Sequence, residues 1–522
     1  MSDESRLVRE FIDENGEGYA ELDAVRWLEG RDVRSLSYGG LKARATDVRR
    51  GLLAEGFDHA HVSLIGTTTV EWICAYLGVI TGSNAAVPLD PQMPMADLAP
   101  LVGRSDSTGL FVGGRCVGML AALLEACPQL ERVWVLEGEV PAELAEDSRV
   151  ETLSALMERG ARAEADVAPT HDDLAMIIFT SGTTGLAKGV MLTQHNLAEN
   201  VRALSFKSGV GVPLLNVLPI HHAFCLVMDW LRGFAAVAVI CINDSFVHMV
   251  RNMGIFRPKS MLMVPLMIET LYKRLANADP TLPKEAVGKK VFGGELRFIF
   301  SGGAHLESEY IERLAEYGVT VLEGYGMSEC SPVISANMPY AFKPGSVGKP
   351  LPNVELAFGD EGEVLVRGSS VMREYYKMPA ETREALAGGW LHTGDKGYLD
   401  EDGFLFLNGR LKNLIILANG ENVSPEEIEG RLALDELVGE VVVTGEGTGL
   451  VARVWPDPDV VTARGLDAAD VYEALQAVLD AYNADQPSYR RLVGLVVREN
   501  PFAKTATRKI KRDQALVDEP LD

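Results

Sequence analysis

Between residues 36 and 136 the spacing of apolar positions changes repeatedly, and each change predicts a new element. Leu36 to Leu53 (LSYGGLKARATDVRRGLL) carries apolar residues near the helical repeat with basic residues between them, the pattern of an amphipathic helix. His61 to Ile65 reads as a strand, Thr69 to Ile80 (TVEWICAYLGVI) as an apolar helix, and Asn84 to Leu89 as a second strand leading into Asp90-Pro91. From Gly109 to Leu136 the runs GLFVG and RVWVL flank the helical pattern VGMLAALLEAC, a second unit of the same kind. Alternation of this sort predicts parallel sheet with helices on its faces.

Further along, Asp147 to Asp172 is acidic, alanine-rich and weakly patterned, and is expected to be a surface connection. Leu174 to Phe179 (LAMIIF) reads as a buried strand, Asn196 to Leu204 as helical, and Leu215 to Ile220 (LNVLPI) as a strand ending at His221-His222. Phe234 to Ile242 (FAAVAVICI) also reads as a buried strand, far short of the ~20 apolar residues of a membrane span. Lys259 to Leu275 is an apolar stripe with three methionines, which suits a core and equally an adaptable lining for an acyl chain. Leu296 to Phe300 is strand-like and runs into Ser301-Gly302-Gly303-Ala304; Gly362 to Gly368 and Leu414 to Leu417 are strand-like as well. Ser424-Pro425-Glu426-Glu427 has an N-cap, a proline at the first position and acids in the first turn, so a helix starts there.

Composition narrows the functional classes. The 522 residues are 47% hydrophobic and 24% charged, which supports a globular protein of two or more domains. A net charge of -25 argues against a nucleic-acid surface or an anionic-membrane patch, while a local basic cleft remains able to hold an anion such as a nucleotide. The six cysteines show no CxxC pairing and lie in mostly apolar surroundings, as reduced thiols of a cytoplasmic protein do. The N-terminus, MSDESRLVREFIDENGEG, lacks the apolar core of a signal peptide. No integral membrane segment is expected; peripheral membrane contact stays open.

The chemistry concentrates around Thr180 to Gly189, TSGTTGLAKG. After a strand, Gly182, Gly185 and Gly189 permit positive φ and close backbone approach, Ser181, Thr183 and Thr184 supply hydroxyls, and Lys188 a positive charge. Those are the groups a polyphosphate needs; a solvated Ser/Thr/Gly-rich turn is the alternative. The loop is not a Walker motif, because Ala187 and Gly189 flank Lys188. In Leu322 to Pro332 (LEGYGMSECSP), Tyr325 offers an aromatic face for a purine, Ser328 a hydroxyl, and Glu329 a carboxylate suited to Mg²⁺. The adjacent His221 and His222 would need a third ligand to hold a metal and read better as polar residues lining a cleft.

The TSGTTGLAKG loop, the LPIHHAF segment, the SGGA turn, the YGMSE box, the HTGD box and the KTATRKIKR segment occur in the order found in the adenylate-forming superfamily. The chain resembles the AMP-binding acyl-CoA synthetases of that superfamily, most of all bacterial long-chain fatty-acid–CoA ligases, from Leu36 to Arg512. The resemblance implies an α/β fold with a large N-terminal domain of αβ-layered subdomains, residues 1–411. A small, mobile α+β C-terminal domain, residues 412–522, would carry the adenylation lysine. It also implies ATP, Mg²⁺ and coenzyme A. Thr180, Ser181, Gly182, Thr183, Thr184 and Lys188 would hold the phosphates, with Glu329 and Thr184 on the metal. Gly303 and Ala304 would pass along the adenine, joined by Tyr325, Gly326 and Ser328; Asp395 would accept the ribose hydroxyls and Arg410 would reach ribose or phosphate. His222 would sit by the substrate carboxylate, Lys412 would be the hinge, and Lys509 would neutralise charge in the first half-reaction. The chain departs from the family at Ala187 and His305, where proline is usual, and at Asn419 and Arg508, where glycine is common.

The expected reaction is therefore adenylation of a small-molecule carboxylic acid followed by transfer to coenzyme A. Apolar segments around His222, Val264 and Ser331 favour a medium- or long-chain fatty acid. Asp229 points the other way, to an amino-acid-adenylating enzyme in which a carboxylate pairs with a substrate ammonium, and an aryl-acid-adenylating enzyme is a related alternative. Loading of a carrier-protein phosphopantetheine and a catalytically dead nucleotide-binding regulator are the further alternatives, and a homodimer is left open.

Overall fold

The structure is a computed structural model that describes residues 6–180, 186–204, 209–276, 278–279, 281–417, 422–446, 449–504 and 510–515. Two compact units divide the chain: Met1–Ala304 with Ser308–Leu356 and Val366–Leu391, and His305–Glu307 with Ala357–Leu365 and His392–Asp522. The fold is mixed α/β with a large N-terminal part and a smaller C-terminal one.

The larger unit is built on two sheets. In the first, Leu174–Thr180, Ala85–Leu89, His61–Ile65, Gly109–Val112, Arg132–Val135 and Val150–Thr152 run parallel in that order. Lys188–Thr193 and then Glu374–Tyr375 extend it with antiparallel pairs. The strand and helix expected at His61 and Thr69 are present: Thr69 caps the Val70–Ile80 helix by accepting the Trp72 N–H, and of its residues only Glu71 is not buried. A helix apolar on every side belongs inside the molecule, and this one does.

The second sheet carries six parallel strands in the order Thr320–Gly326, Phe298–Ser301, Ser260–Met263, Pro213–Asn216, Val239–Ile242 and Asp23–Glu29. Short antiparallel strands flank both sides. The helix Gln194–Ala203 ties the two sheets together: Asn200 Nδ2 donates to the carbonyls of Cys330 (3.2 Å) and Val333 (2.8 Å), and Asn196 Nδ2 to that of Val371 (2.9 Å).

Several expectations are corrected. Residues 147–172 are not a mere surface connection. They form the strand Val150–Thr152 and the helix Leu153–Arg162, whose Leu153, Leu156 and Gly160 are buried. That helix packs on the Tyr38–Ala54 helix at a glycine crossing: a Cβ on Gly160 would lie 1.7 Å from the Asp47 carbonyl oxygen, and one on Gly51 2.5 Å from that of Leu156. Phe234 to Ile242 is not one strand. Phe234 and Ala235 end a helix, Val237 turns at φ 56°, and only Val239–Ile242 is extended. The expected Leu215 to Ile220 strand is Pro213–Asn216, and the methionine stripe breaks at Pro265 into the strand Ser260–Met263 and the helix Pro265–Ala276. The last three are apolar runs in which periodicity cannot mark the turn, whereas residues 147–172 carry too weak a pattern to announce their helix.

In the smaller unit, Val438–Glu446 and Gly449–Pro456 form an antiparallel pair, and Leu492–Val497 lies parallel to the second. The helices Pro425–Leu432 and Ala468–Ala484 contribute Ile428, Leu432, Leu475 and Leu479 to the core under that sheet. Ser424 occupies the N-cap, but its hydroxyl donates to Glu426 Oε2 (3.1 Å) instead of capping, so Pro425 at the first position marks the start. All six cysteines are free and buried. No helix among the described residues is long and apolar enough to cross a membrane.

Candidate active site

In open sheets of parallel strands, ligands settle beyond the carboxyl ends. Four of the six parallel strands of the second sheet end at Asn216, Met263, Ser301 and Gly326. The expected site residues His222, Gly303, Ala304, Tyr325, Gly326, Ser328 and Glu329 follow or cap those ends. Gly303 is at φ 86°, a conformation glycine adopts freely, and a Cβ on Gly302 would come within 3.1 Å of the Phe224 ring. At Gly326 a Cβ would lie 2.0 Å from the Pro332 carbonyl oxygen, so glycine alone fits the close return of the chain after Tyr325. Tyr325 is buried, and Ser328 begins the short 3₁₀ turn Ser328–Cys330 that presents Glu329.

The loop expected to hold phosphates follows the carboxyl end of the Leu174–Thr180 strand in the first sheet. Thr180 ends one strand and Lys188 begins the next; they are antiparallel partners, and the Thr180 hydroxyl donates to the Lys188 carbonyl at 3.5 Å. Ser181, Gly182, Thr183, Thr184 and Gly185 lie outside the described residues. Arg104 secures the exit of the loop, donating to the Ala187 carbonyl at 2.9 Å with its guanidinium 5.7 Å from the Phe179 ring centre.

Lys188 makes no ion pair among the described residues; its ammonium lies 4.8 Å from the centre of the Tyr375 ring. The Tyr375 hydroxyl donates to Glu329 Oε1 at 2.8 Å. Glu329 is 7% exposed, and its Oε2 takes no hydrogen bond among the described residues. Neither Tyr375 nor Arg104 was a sequence expectation. No cluster of three metal-ligating side chains exists among the described residues. A single buried carboxylate with one oxygen unengaged nonetheless suits Mg²⁺, which is commonly held by one or two carboxylates together with substrate phosphates and water.

Beyond the Pro213–Asn216 strand, the rings of His221 and His222 lie 4.2 Å apart, and His221 Nε2 stands 3.8 Å from Asp90 Oδ2, too far for a hydrogen bond. Burial, with the charge of His222 beside it, holds the His221 imidazole well below its ordinary pKa, so it is neutral. Asp229 lies on the π-helix Phe224–Leu231 and is 2% exposed. Burial pushes its carboxyl up to about 7, against the opposing hydrogen bond from Asn216 and the charge of Arg232. Asn216 Nδ2 donates to Asp229 Oδ2 at 2.8 Å and to Cys225 Sγ at 3.0 Å, so Asp229 is committed inside the protein.

In the smaller unit, Asp395 lies in the strand Leu391–Leu399, opposite Arg410 of Leu405–Arg410. The glycine before it, Gly394 at φ 71°, bends the strand locally without ending it. Asp395 is buried, and its Oδ1 pairs with Arg410 Nε at 2.9 Å, so these two expected ribose-side residues are brought together. Lys412 is exposed in the turn Leu411–Asn413. Lys509, Arg508, Asn419 and Gly420 lie outside the described residues.

A family model described as AMP-binding enzyme matches residues 12–376, and one described as AMP-binding enzyme C-terminal domain matches residues 412–518. A long-chain-fatty-acid–CoA ligase of Mycobacterium bovis is 28% identical over 454 residues, covering 78% of this chain and 75% of that protein. A methyl-dioxo-octahydroindenyl-propanoyl:CoA ligase of Rhodococcus jostii is 30% identical, covering 89% of each. Among solved structures, an anthranilate CoA ligase in complex with anthranoyl-AMP superposes with a TM-score of 0.83 at 19% identity, over 98% of this chain and 97% of that one.

Proposed function

The chain belongs to the family of AMP-binding enzymes, and from that premise we propose that it joins a hydrophobic, fatty-type carboxylic acid to coenzyme A through an acyl-adenylate. An AMP-forming acid–thiol ligase works in two displacements. A substrate carboxylate oxygen attacks the α-phosphorus of ATP and pyrophosphate leaves; the thiol sulfur then attacks the acyl carbon, AMP leaves and the thiol proton is released. A carboxylate is a poor electrophile, and adenylation supplies its leaving group.

In this reading the Thr180 to Lys188 loop carries the β and γ phosphates, with Glu329 and Thr184 holding Mg²⁺, which neutralises phosphate charge when bound. Tyr325, Gly326, Ser328, Gly303 and Ala304 line the adenine, while Asp395 and Arg410 take the ribose side. His222 faces the acid's carboxylate. Lys509 neutralises the negative charge that develops on the α-phosphate and carboxylate oxygens. Residues 412–522 then turn about Lys412, withdrawing Lys509 so that the thiol can enter.

The observation that carries the choice of acid is Asp229. An amino-acid substrate needs an open carboxylate for its ammonium, and here Asn216 already donates to the buried Asp229 at 2.8 Å and the charge of Arg232 acts on it. The names of the fatty-acid ligases among the relatives support the same reading. The test is pyrophosphate release from MgATP across acetate, octanoate, palmitate, benzoate and phenylalanine, with and without coenzyme A. Octanoate or palmitate is expected to exceed acetate and phenylalanine by at least about tenfold in kcat/KM, since each buried CH₂ contributes ~0.8 kcal/mol. A preference for phenylalanine or benzoate would overturn the hydrophobic-acid reading, and release without thioester would move the acceptor to a carrier protein.

A further inference from the structure

Resting on the phosphate and metal roles given above to Lys188 and Glu329, we propose that Tyr375 is a positioning residue for both. Its hydroxyl fixes Glu329 so that one carboxylate oxygen stays open to the metal, and its ring holds the Lys188 ammonium for the phosphates.

The backbone around Tyr375 is a strap between two parts of the site. On one side it grips the Glu329 turn. Ser331 Oγ donates to the Ser370 carbonyl (2.9 Å), the Met372 N–H to the Glu329 carbonyl (2.8 Å), and the Tyr375 hydroxyl to Glu329 Oε1 (2.8 Å). On the other side it pairs with the strand that Lys188 opens: the Arg373 N–H donates to the Met191 carbonyl (3.0 Å) and the Tyr376 N–H to that of Gly189 (2.7 Å). Glu329 is thus held at its main chain and at one carboxylate oxygen by the same short segment. The side chain cannot rotate to exchange Oε1 for Oε2 without breaking the tyrosine bond.

The chemistry suits that role. Tyr375 is 5% exposed, and its hydroxyl is the donor in the bond to Glu329 Oε1. A carboxylate accepting from a tyrosine keeps its negative charge, whereas one paired with a lysine would have it neutralised. The Lys188 ammonium meets the π face of the same ring at 4.8 Å, a cation–π contact that leaves its N–H donors available. One side chain therefore engages a cation and an anion and leaves each with capacity for a ligand.

The test compares Tyr375→Phe, which keeps the ring and removes the hydroxyl, with Tyr375→Leu, which removes both. Affinity for Mn²⁺ in the presence of ATP is read by electron paramagnetic resonance, and affinity for metal-free ATP by calorimetry, neither of which requires turnover. Partners that orient a metal ligand typically change metal affinity by about 10–100-fold, so Tyr375→Phe is expected to weaken Mn²⁺ about tenfold with metal-free ATP binding unchanged. Tyr375→Leu should weaken both. Raised Mg²⁺ should restore the rate of the phenylalanine variant and not of the leucine one, with KM for the acid unmoved in either. In a Glu329→Gln background Tyr375→Phe should have no further effect on Mn²⁺, a comparison that holds even if Tyr375→Leu fails to fold. Wild-type Mn²⁺ affinity in Tyr375→Phe, or full additivity with Glu329→Gln, would overturn the proposal. So would a wild-type protein that binds no Mn²⁺ with ATP. Normal Mn²⁺·ATP binding that responds to Tyr375 as expected, together with no acid-dependent turnover, would support the Tyr375 role and sink the ligase reading alone.

Discussion

Lys509→Ala is expected to lower acid-dependent pyrophosphate release by about a hundred- to a thousand-fold, the range found when one preorganised donor to developing charge is removed. Thioester formation from a separately prepared acyl-adenylate should change by no more than a few fold. The asymmetry follows from the chemistry. In the first displacement negative charge gathers on oxygens around the α-phosphorus while two anions are brought together, and a cation there lowers the barrier directly. In the second, a thiol meets an acyl carbon whose leaving group is already installed, and Lys509 is needed elsewhere or nowhere. Pre-steady-state measurement of each half-reaction separates the two. An equal fall in both would mean that Lys509 serves nucleotide binding or folding and not adenylation.

Asp166→Ala is expected to destabilise the larger unit by about 2 kcal/mol, because it leaves the buried Arg49 charge without its carboxylate, although the Asp166 side chain itself is 21% exposed. Arg49 is 4% exposed. Its Nε and Nη2 donate to the two Asp166 oxygens at 2.7 and 2.9 Å, its Nη1 to Thr81 Oγ1 at 3.0 Å, and Arg9 Nη2 reaches Asp166 at 3.0 Å. Removing the carboxylate leaves the Arg49 charge buried without its counter-ion. Burial raises the Asp166 pKa, but the hydrogen bonds and charges of Arg49 and Arg9 outweigh it and hold the carboxyl at about 2. Since that lies below the ~3.9 of an unfolded aspartate, the stabilisation is complete above about pH 4 and fades as pH falls through 2. Urea unfolding of both proteins should therefore show a gap that is constant from pH 7 to 5 and narrows toward pH 3. A gap under about 1 kcal/mol at pH 7 would place the pair among ordinary surface ion pairs.

How much could be read from the chain depended on how local each signal was. His61–Ile65 and Val70–Ile80 announce themselves because each is an apolar run of a length that suits its element, and Thr69, a helix N-cap, lies between them. The Leu153–Arg162 helix does not, because its buried face of Leu153, Leu156 and Gly160 relies on a glycine for contact, and hydrophobicity carries no trace of that. At the site, Lys188, Glu329 and Asp395 stood out as charged groups in glycine-rich surroundings. Tyr375 was illegible: its strand is two residues long, too short for a period, and its partner Glu329 lies 46 residues away. Arg104 meets the Ala187 carbonyl across 83 residues for the same reason. The role of Asp229 was ambiguous in the sequence, since only packing reveals that Asn216 already occupies it.

The most direct test of the account is the product balance of the intact protein given palmitate, MgATP and coenzyme A, followed by mass spectrometry and phosphorus NMR. Palmitoyl thioester, AMP and pyrophosphate are expected in equal amounts, none forming when palmitate is withheld. Production of ADP and phosphate, or AMP formation indifferent to the acid, would contradict it.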